Sequence, residues 1–379
     1  MKFFHLSDLH LGKRLNEFSM TADQAYILDQ ILALAEEEQP DAVVIAGDVY
    51  DKAVPSAEAV SLFDEFLVRL ARRNLDVFVI SGNHDSPERI AFGSRLLDAA
   101  GIHLSPVYNG TVEPVTLCDE FGPVDFYLLP FVKPLHVRRF YPDEPVDTYT
   151  QALAAAVSHM ALDKTRRNVL VTHQFVTGAA RSDSEELSVG GADNVDGAVF
   201  EEFDYVALGH IHSPQHCGSE KLRYCGTPLK YSFSEANDQK SVTVVELKEK
   251  GSLTIRVLPL TPLHELTELK GSFQALTDPA FYENTTWQTD YVHLTLTDEE
   301  DIPDAVGKLR LIYQGLMKLD YDNTRTRHSA AIGGAENVET RSPIDLFAEF
   351  YELQNGLPMS AEQTELVASL IEKIWEGEE

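Results

Sequence analysis

This sequence has few positively charged residues relative to its negatively charged ones. Its 379 residues include 31 Lys and Arg against 61 Asp and Glu, a formal net charge of −30 at pH 7. A chain with this net charge repels phosphates, so we do not expect it to bind nucleic acid nonspecifically over its whole surface. Bound divalent cations can reverse the charge of a single site, and a basic partner can supply missing phosphate contacts. The charge therefore predicts that any action on nucleic acid depends on metal ions or on a partner.

Cysteine and long apolar runs are also scarce. The three cysteines (Cys118, Cys217 and Cys225) cannot all pair and show no CxxC spacing, which favours buried or incidental thiols over disulfides or metal ligands. There is no run of 18 apolar residues, and Ser7 and Asp8 interrupt the amino terminus too early for a signal peptide. We therefore expect a cytoplasmic protein without a membrane partner.

The sequence also lacks GxxxxGK[ST], which excludes nucleotide hydrolysis by that phosphate-binding loop. Residues 1–260 instead alternate short apolar runs with amphipathic stretches, the pattern of an α/β domain. Helices are predicted at 21–37, 57–73 and 148–161. Strands are predicted at 2–6, 42–46, 77–81, 126–129, 168–172, 205–208 and 242–247.

Clusters of polar residues follow five of these predicted strands: SDLH, GDVYD, GNHD, THQ and GHIH. Loops converge at the carboxyl edge of an α/β sheet, so these clusters should become neighbours in space. Carboxylate, amide and imidazole ligands suit a pair of divalent ions, with Asp48 as the candidate bridge. We expect Asp8 and His10, two apart on an extended segment, to point the same way. The predicted metal ligands are Asp8, His10, Asp48, Asn83, His173, His210 and His212.

Two smaller pieces follow the clusters. Residues 261–340 suggest a small α/β capping domain for DNA recognition, with a strand at 291–296 and a helix at 302–318. Residues 341–379 carry two basic and nine acidic side chains and predict two amphipathic helices, the second capped by Ser360 and Gln363. Periodicity does not decide whether their apolar stripes pack on the body of the protein or dock a partner. The stripe residues predicted to bind a partner are Leu346, Phe347, Phe350, Leu366, Leu370 and Ile374.

SDLH, GDVYD, GNHD, THQF and GHIH resemble the five signature blocks of the calcineurin-like metallophosphoesterases. The resemblance implies an α/β sandwich with helices flanking the sheets, extended here by the capping domain and C-terminal helices. It implies that Asp8, His10, Asp48 and His212 surround one ion, and that Asp48, Asn83, His173 and His210 surround the other. Manganese is the usual metal in the relevant branch, although these ligands would accept iron or zinc.

His84 follows Asn83 and is not required as a ligand, so we assign it to general acid catalysis. Asp51 matches a position that orients the catalytic histidine in some branches, and either Asp51 or Asp85 could do so here. The alternative for Asp51 is a structural carboxylate in its loop. Lys13 and Arg14 could reach a DNA phosphate at the rim, and a solvated loop charge is the alternative.

The longer segments SVGGADNVDGAVFEEFDYVALGHIHSPQ and RYCGTPLKYSFSE resemble the nuclease branch of this family. That resemblance implies a repair and recombination enzyme that degrades double-stranded DNA ends and cleaves hairpins or single strands. It also implies a homodimer within a heterotetramer, bound to a coiled-coil ATPase that uses the ATP. A phosphatase or phosphodiesterase acting on a small molecule or a protein is the alternative, because it would share every metal ligand.

Overall fold

A computed structural model describes residues 1–185, 193–324, 326, 343–355 and 358–376. The chain divides into two compact units, Met1–Leu266 and Thr267–Glu379. Within the described residues, none of the helices combines the length and apolarity needed to cross a membrane. The predicted domain boundaries at 261 and 341 stay predictions.

The first unit consists of alternating strands and helices. Its helices are α1 (Thr21–Glu38), α2 (Ala57–Ala71), α3 (Pro87–Ile90), α4 (Ser94–Leu97), α5 (Pro134–Arg138) and α6 (Tyr149–Ser158). Its strands are β1 (Lys2–Leu6), β2 (Arg14–Leu15), β3 (Phe18–Ser19), β4 (Ala42–Ala46), β5 (Asp76–Ile80), β6 (Ile102–Leu104), β7 (Pro114–Asp119), β8 (Gly122–Leu129), β9 (Arg167–His173), β10 (Phe175–Val176), β11 (Asn194–Val195), β12 (Tyr205–Gly209), β13 (Gln215–Cys217), β14 (Ser219–Tyr224), β15 (Ser241–Leu247) and β16 (Leu253–Pro259).

Two six-stranded sheets dominate this unit. Their strand orders are β16-β15-β1-β4-β5-β6 and β13-β14-β12-β9-β8-β7. The four strands β1, β4, β5 and β6 are parallel, and so are β14, β12, β9 and β8. Antiparallel strands lie at one edge of the first sheet (β15 and β16) and at both edges of the second (β13 and β7). The carboxyl ends of β1, β4 and β5, and likewise those of β9 and β12, therefore lie at one edge of their sheet.

The sheets pack face to face around an apolar core. Phe78 of the first sheet stacks on Phe126 of the second with ring centroids 4.3 Å apart, and Phe3 meets the same ring edge-on. Because side chains alternate along a strand, Val169 faces this core while Leu170 faces a second apolar cluster that includes residues of α6. The predicted sandwich with helices flanking the sheets is thus present.

The second unit has a three-stranded sheet in the order β17-β18-β19 and five helices in its described part. Its strands are β17 (Leu266–Gly271), β18 (Tyr291–Leu296) and β19 (Gly315–Tyr321). Its helices are α7 (Phe273–Leu276), α8 (Pro279–Tyr282), α9 (Ala305–Arg310), α10 (Pro343–Asn355) and α11 (Ala361–Glu376).

The predicted helix over 302–318 is wrong, because the helix ends at Arg310 and β19 follows. β19 pairs in parallel with β18, which outweighs the helical propensity of its residues. Gly315 permits this pairing, since a Cβ at that position would lie 2.2 Å from the carbonyl oxygen of Asp290.

The terminal helices α10 and α11 pack against each other. The predicted capping box is confirmed: Ser360 N–H donates to Gln363 Oε1 (2.8 Å), and Gln363 N–H donates to Ser360 Oγ (3.3 Å). Phe347, Phe350, Leu366 and Leu370 are between 41% and 60% exposed, and Leu346 is half-buried. The side chain of Ile374 lies outside the described part of the chain, so its partner-binding assignment stays a prediction.

Candidate metal centre

The predicted ligands lie at, or just beyond, the carboxyl ends of five parallel strands. Asp8 and His10 follow β1, Asp48 follows β4, and Asn83 follows β5. His173 is the last residue of β9, and His210 and His212 follow β12. Both sheets therefore contribute to one cluster. Asp8, His10, Asp48, His173, His210 and His212 are all buried, whereas Asn83 and His84 are half-buried.

Four of these residues have left-handed backbone. The φ angles are 52° at Asp8, 45° at His10, 47° at Asp48 and 101° at His210. Non-glycine residues adopt this region at a cost of about 1–3 kcal/mol each, and such strain is typical of functional sites. The expectation that Asp8 and His10 share an extended segment is wrong. The turn after β1, rather than strand periodicity, directs both side chains into the cluster.

Glycines before the ligands allow the loops to approach closely. A Cβ at Gly47 would lie 2.5 Å from His173 Nδ1, and a Cβ at Gly82 would lie 2.1 Å from Asp48 Oδ1. A Cβ at Gly209 would lie 1.9 Å from the carbonyl oxygen of Ala46. The G in each of GDVYD, GNHD and GHIH is therefore a packing requirement of the cluster.

One half of the cluster contains Asp8, His10 and His212, each of which places a ligand atom within 4.8 Å of the others. His10 Nε2 lies 3.2 Å from His212 Nε2 and 3.8 Å from Asp48 Oδ2. The main-chain N–H of His210 donates to both oxygens of Asp8 at 3.1 Å, which holds that carboxylate in place.

The other half surrounds Asn83. Its Oδ1 lies 2.9 Å from His173 Nε2 and 3.0 Å from His210 Nδ1. Asp48 Oδ2 lies 3.3 Å from His173 Nε2, and the same oxygen faces His10 in the first half. Asp48 thus stands between the two halves, as a bridging carboxylate requires.

The electrostatics of the cluster reflect its burial. Burial raises the pKa of Asp8 to about 6, lowers the pKa of His210 to about 3, and lowers that of His10 well below its ordinary value. Burial would also lower the pKa of His173, but the Asp48 carboxylate outweighs it and raises that pKa to about 9. Imidazole must be neutral to bind a metal, so a cation in this half would replace the proton of His173.

The donor set fits two divalent cations. It consists of carboxylate, amide and imidazole groups in two overlapping halves, with ligand atoms close enough to share an ion.

His84 lies beside this cluster on its more exposed side. Its main-chain N–H donates to Asp48 Oδ1 (2.9 Å), and its Nε2 is 4.0 Å from Asp48 Oδ2. The Nδ1 atom contacts the main-chain carbonyl oxygen of Asp51 at 3.1 Å. The side chain of His84 is 20% exposed, more than any of the buried imidazoles around it. It therefore stands where a substrate could meet the cluster.

Neither carboxylate that we considered for orienting His84 contacts it by a hydrogen bond. Asp51 Oδ1 accepts from Lys13 Nζ at 2.8 Å and lies 3.8 Å from His10 Nδ1. Asp85 instead accepts the N–H groups of Val49, Tyr50 and Gly82 at 2.9–3.1 Å, which ties two ligand loops together. Burial and the nearby Asp48 charge raise the pKa of Asp85 to about 7.

The two residues predicted to contact DNA lie in different surroundings. Lys13 is bound to Asp51 and lies over the ring of Tyr231, 5.5 Å from its centroid. Its position is therefore beside His10 rather than free at the rim. Arg14 is exposed, and its guanidinium donates to the carbonyl oxygen of Glu17 in the β2–β3 hairpin.

Several supporting residues were missed by the reasoning from sequence. Ser184 and Glu235 lie behind His212, and Tyr231 donates to the carbonyl oxygen of Leu9 between Asp8 and His10. Gln24 Nε2 donates to the carbonyl oxygen of His10 (2.7 Å). Glu235 and Tyr231 fall in the segment RYCGTPLKYSFSE, so its position after GHIH was the one available signal.

Comparison with known proteins agrees with this geometry. Residues 1–214 match the calcineurin-like phosphoesterase family, and residues 262–355 match a family described as the type 5 capsule protein repressor C-terminal domain. The SbcD subunit of the nuclease SbcCD from Staphylococcus epidermidis is 32% identical over 382 residues, covering 100% of both chains. The SbcD subunit from Staphylococcus saprophyticus is 33% identical and covers 99% of both chains.

The chain belongs to the SbcD family of calcineurin-like phosphoesterases. The expected fold class and family are therefore confirmed, and SbcD relatives align with it from end to end. A dimetal phosphatase from Danio rerio superposes with a TM-score of 0.44 at 13% identity, covering 69% of this chain and 98% of that one. Membership of the SbcD family implies a hydrolase of phosphate esters that requires divalent metal ions.

Proposed function

We propose that this chain is the nuclease subunit of a complex with an SbcC-like coiled-coil ATPase. It would degrade double-stranded DNA ends and cleave hairpins or single strands during DNA repair and recombination. The observation that carries the proposal is the convergence of seven ligand-type side chains beside a half-buried His84, in a chain aligned along its full length with two proteins named as nuclease subunits.

Two divalent ions, which we expect to be Mn²⁺, would occupy the two halves of the cluster. Asp8, His10, Asp48 and His212 would hold one, and Asp48, Asn83, His173 and His210 the other. When bound, the ions supply the positive charge that activates water as a nucleophile and stabilises the developing charge on phosphate. Asp48 would position both halves, because its Oδ2 faces His10 on one side and His173 on the other.

His84 would act as the general acid. With the Asp51 carbonyl oxygen accepting the proton of Nδ1, the free Nε2 points towards the cluster, 4.0 Å from Asp48 Oδ2. A protonated Nε2 could hydrogen-bond the phosphate and then donate its proton to the leaving oxygen. Asp51 would support this role through its main chain, so its catalytic assignment becomes one of positioning.

The acidic composition of the chain favours a partner that strengthens DNA binding. A net charge of −30 opposes DNA binding by the chain alone, so the ATPase would supply phosphate contacts and use the ATP. Two copies of the chain would form a homodimer within a cytoplasmic heterotetramer. The exposed apolar residues of α10 and α11 would dock the ATPase, residues 261–340 would cap the DNA, and Lys13 and Arg14 would contact its backbone.

The decisive assay compares substrates with and without the ATPase. Purified chain in Mn²⁺ should cleave linear duplex and hairpin DNA, and chelation should abolish the activity. The alternative, a phosphatase or phosphodiesterase for a small molecule or a protein, predicts hydrolysis of nitrophenyl phosphate and no nicking of DNA under any of these conditions. That second outcome would refute the proposal.

Two variants separate catalysis from metal binding. His84→Ala should lose cleavage but keep both ions, because no ligand is removed. Asp48→Ala should lose cleavage and metal together, because the bridging carboxylate is gone. Metal content measured by elemental analysis distinguishes them. An equal loss of metal in both variants would contradict the role assigned to His84.

A further inference from the structure

Both the main chain and the imidazole of His212 have hydrogen-bond partners behind the metal cluster. Its main-chain N–H donates to Glu185 Oε1 at 2.7 Å. Its carbonyl oxygen accepts from the Thr227 N–H at 3.0 Å and from Lys240 Nζ at 2.9 Å. Its Nδ1 lies 2.5 Å from Ser184 Oγ. Main chain and imidazole are therefore both positioned by side chains that lie behind the metal cluster.

Behind Ser184 the contacts continue into the protein. Ser184 Oγ donates to Glu235 Oε1 at 2.5 Å, and Lys240 Nζ donates to Glu235 Oε2 at the same distance. The side chain of Glu235 is fully buried, and that of Lys240 is 3% exposed. A buried carboxylate is costly unless it is paired and hydrogen-bonded, and here it has both an ammonium and a hydroxyl partner.

The chemistry of these groups fixes the direction of each hydrogen bond. Ionised Glu235 can only accept, so Ser184 uses its single proton on Glu235. Ser182 Oγ also lies 2.7 Å from Ser184 Oγ. If Ser184 donated its proton to Ser182 instead, it would still have no proton left to donate to His212. In either case the hydroxyl must accept from His212, which places the imidazole proton on Nδ1. The lone pair is then on Nε2, the nitrogen that faces His10 at 3.2 Å.

Among the described residues, neither histidine of the other half has a charged hydrogen-bond partner on the side of its ring away from Asn83. His173 Nδ1 donates to the main-chain carbonyl oxygen of Ala46 (2.8 Å). His210 Nδ1 faces the amide oxygen of Asn83, itself a candidate ligand, and His210 Nε2 has no hydrogen-bond partner in the described part of the chain. A charged relay behind a ligand histidine raises its basicity and holds its ring orientation, and loss of such a partner typically weakens metal binding about 10–100-fold.

We propose that Ser184, Glu235 and Lys240 form a positioning relay that makes the two metal positions unequal. The relay commits His212 to one tautomer, so the ion held by Asp8, His10, Asp48 and His212 binds more tightly than the ion in the Asn83 half. This inference rests on the metal centre of the proposed function. Ser184 and Glu235 touch neither metal nor substrate and act through His212.

The test is Mn²⁺ binding by the full chain, which needs no DNA and no partner. Titration calorimetry should give two affinities for the wild-type chain. Ser184→Ala should weaken the tighter one about 10–100-fold and leave the other unchanged. Ser184→Thr keeps the hydroxyl and should restore the tight site. Asp125→Asn is a matched control, because it neutralises a buried carboxylate near the opposite ends of the strands.

Electron paramagnetic resonance adds a signature that general destabilisation would not produce. At two equivalents of Mn²⁺ the wild-type chain should show the spectrum of a coupled ion pair, and Ser184→Ala should show uncoupled ions. Glu235→Gln should behave similarly if it folds, and Ser184→Ala keeps the test valid if it does not.

Two results would overturn the inference in distinguishable ways. If the wild-type chain bound two ions and Ser184→Ala bound them with unchanged affinities, or weakened both equally, the relay would be refuted alone. If the wild-type chain bound fewer than two ions, the metal centre of the proposed function would be refuted together with the relay.

Discussion

The clearest test of the site is a substitution of Asp51 that leaves its main chain intact. His84 Nδ1 contacts the carbonyl oxygen of residue 51, not its carboxylate. Asp51→Asn should therefore preserve the orientation of His84. What the variant loses is the ion pair with Lys13 at 2.8 Å, in which both side chains are about 15% exposed.

The expected losses of cleavage rate in Asp51→Asn and in His84→Ala differ enough to be told apart. A partly exposed ion pair contributes about 1 kcal/mol. If all of that were lost in the transition state, the rate would fall about five-fold. Removing a general acid costs about 10²–10⁴-fold, or about 2.7–5.4 kcal/mol. Asp51→Asn should therefore stay within about five-fold of wild type, while His84→Ala should fall by at least about a hundred-fold.

The assay is Mn²⁺-dependent cleavage of a labelled linear duplex in the presence of the ATPase, with kcat and KM measured separately. Metal content is measured in parallel, so that a lost ion is not mistaken for lost acid catalysis. If Asp51→Asn lost as much activity as His84→Ala while keeping both ions, the carboxylate would be orienting His84 and the interpretation drawn from the carbonyl contact would be wrong.

Three further predictions test packing, docking and charge burial. Gly82→Ala should weaken Mn²⁺ binding, because its Cβ would lie 2.1 Å from Asp48 Oδ1; dialysis against Mn²⁺ measures this, and Gly271→Ala, whose Cβ has its nearest neighbour at 3.4 Å, should be silent. Deleting residues 341–379 should leave basal nuclease activity but abolish co-purification with the ATPase, and continued association would contradict the docking role. Asp119→Asn should lower the free energy of unfolding by about 3 kcal/mol at pH 7, because it strands a buried guanidinium. Hydrogen bonds from that guanidinium and from the amino terminus outweigh burial and hold the Asp119 pKa below its ordinary value of 3.8. The stability that ionised Asp119 contributes is therefore fully present above pH 3.8 and is lost as the pH falls through the depressed pKa. The difference in the free energy of unfolding between wild type and Asp119→Asn, measured by urea denaturation, should shrink over that pH range. A difference that stays constant with pH would refute the assignment.

The sequence by itself determined four strands of the first sheet (β1, β4, β5 and β15) and the positions of the ligands along the chain, whereas β6 and β16 were not predicted. β1 and β4 match their predicted bounds residue for residue, because short apolar runs ended by glycine or polar residues allow few alternatives. The order of the five polar clusters was also sufficient to predict that they meet, since parallel strands present their carboxyl ends at one edge.

Tertiary structure decided what sequence spacing could not. The left-handed backbone at Asp8 and His10 depends on the turn that joins β1 to the neighbouring loops, so no periodicity in the sequence reports it. The predicted helix over 302–318 failed because pairing with β18 stabilises residues 315–321 as a strand.

The same limit applies to the groups that support catalysis. The acceptor for His84 is a main-chain carbonyl, which every residue type at position 51 would supply, so the sequence could not identify it. The relay behind His212 joins residues 184, 235 and 240. Only the folded chain brings Ser184 Oγ within hydrogen-bonding distance of the imidazole and places Glu235 between Ser184 and Lys240. The sequence thus determines which residues are candidate metal ligands, whereas their orientation and proton positions depend on long-range contacts that form only on folding.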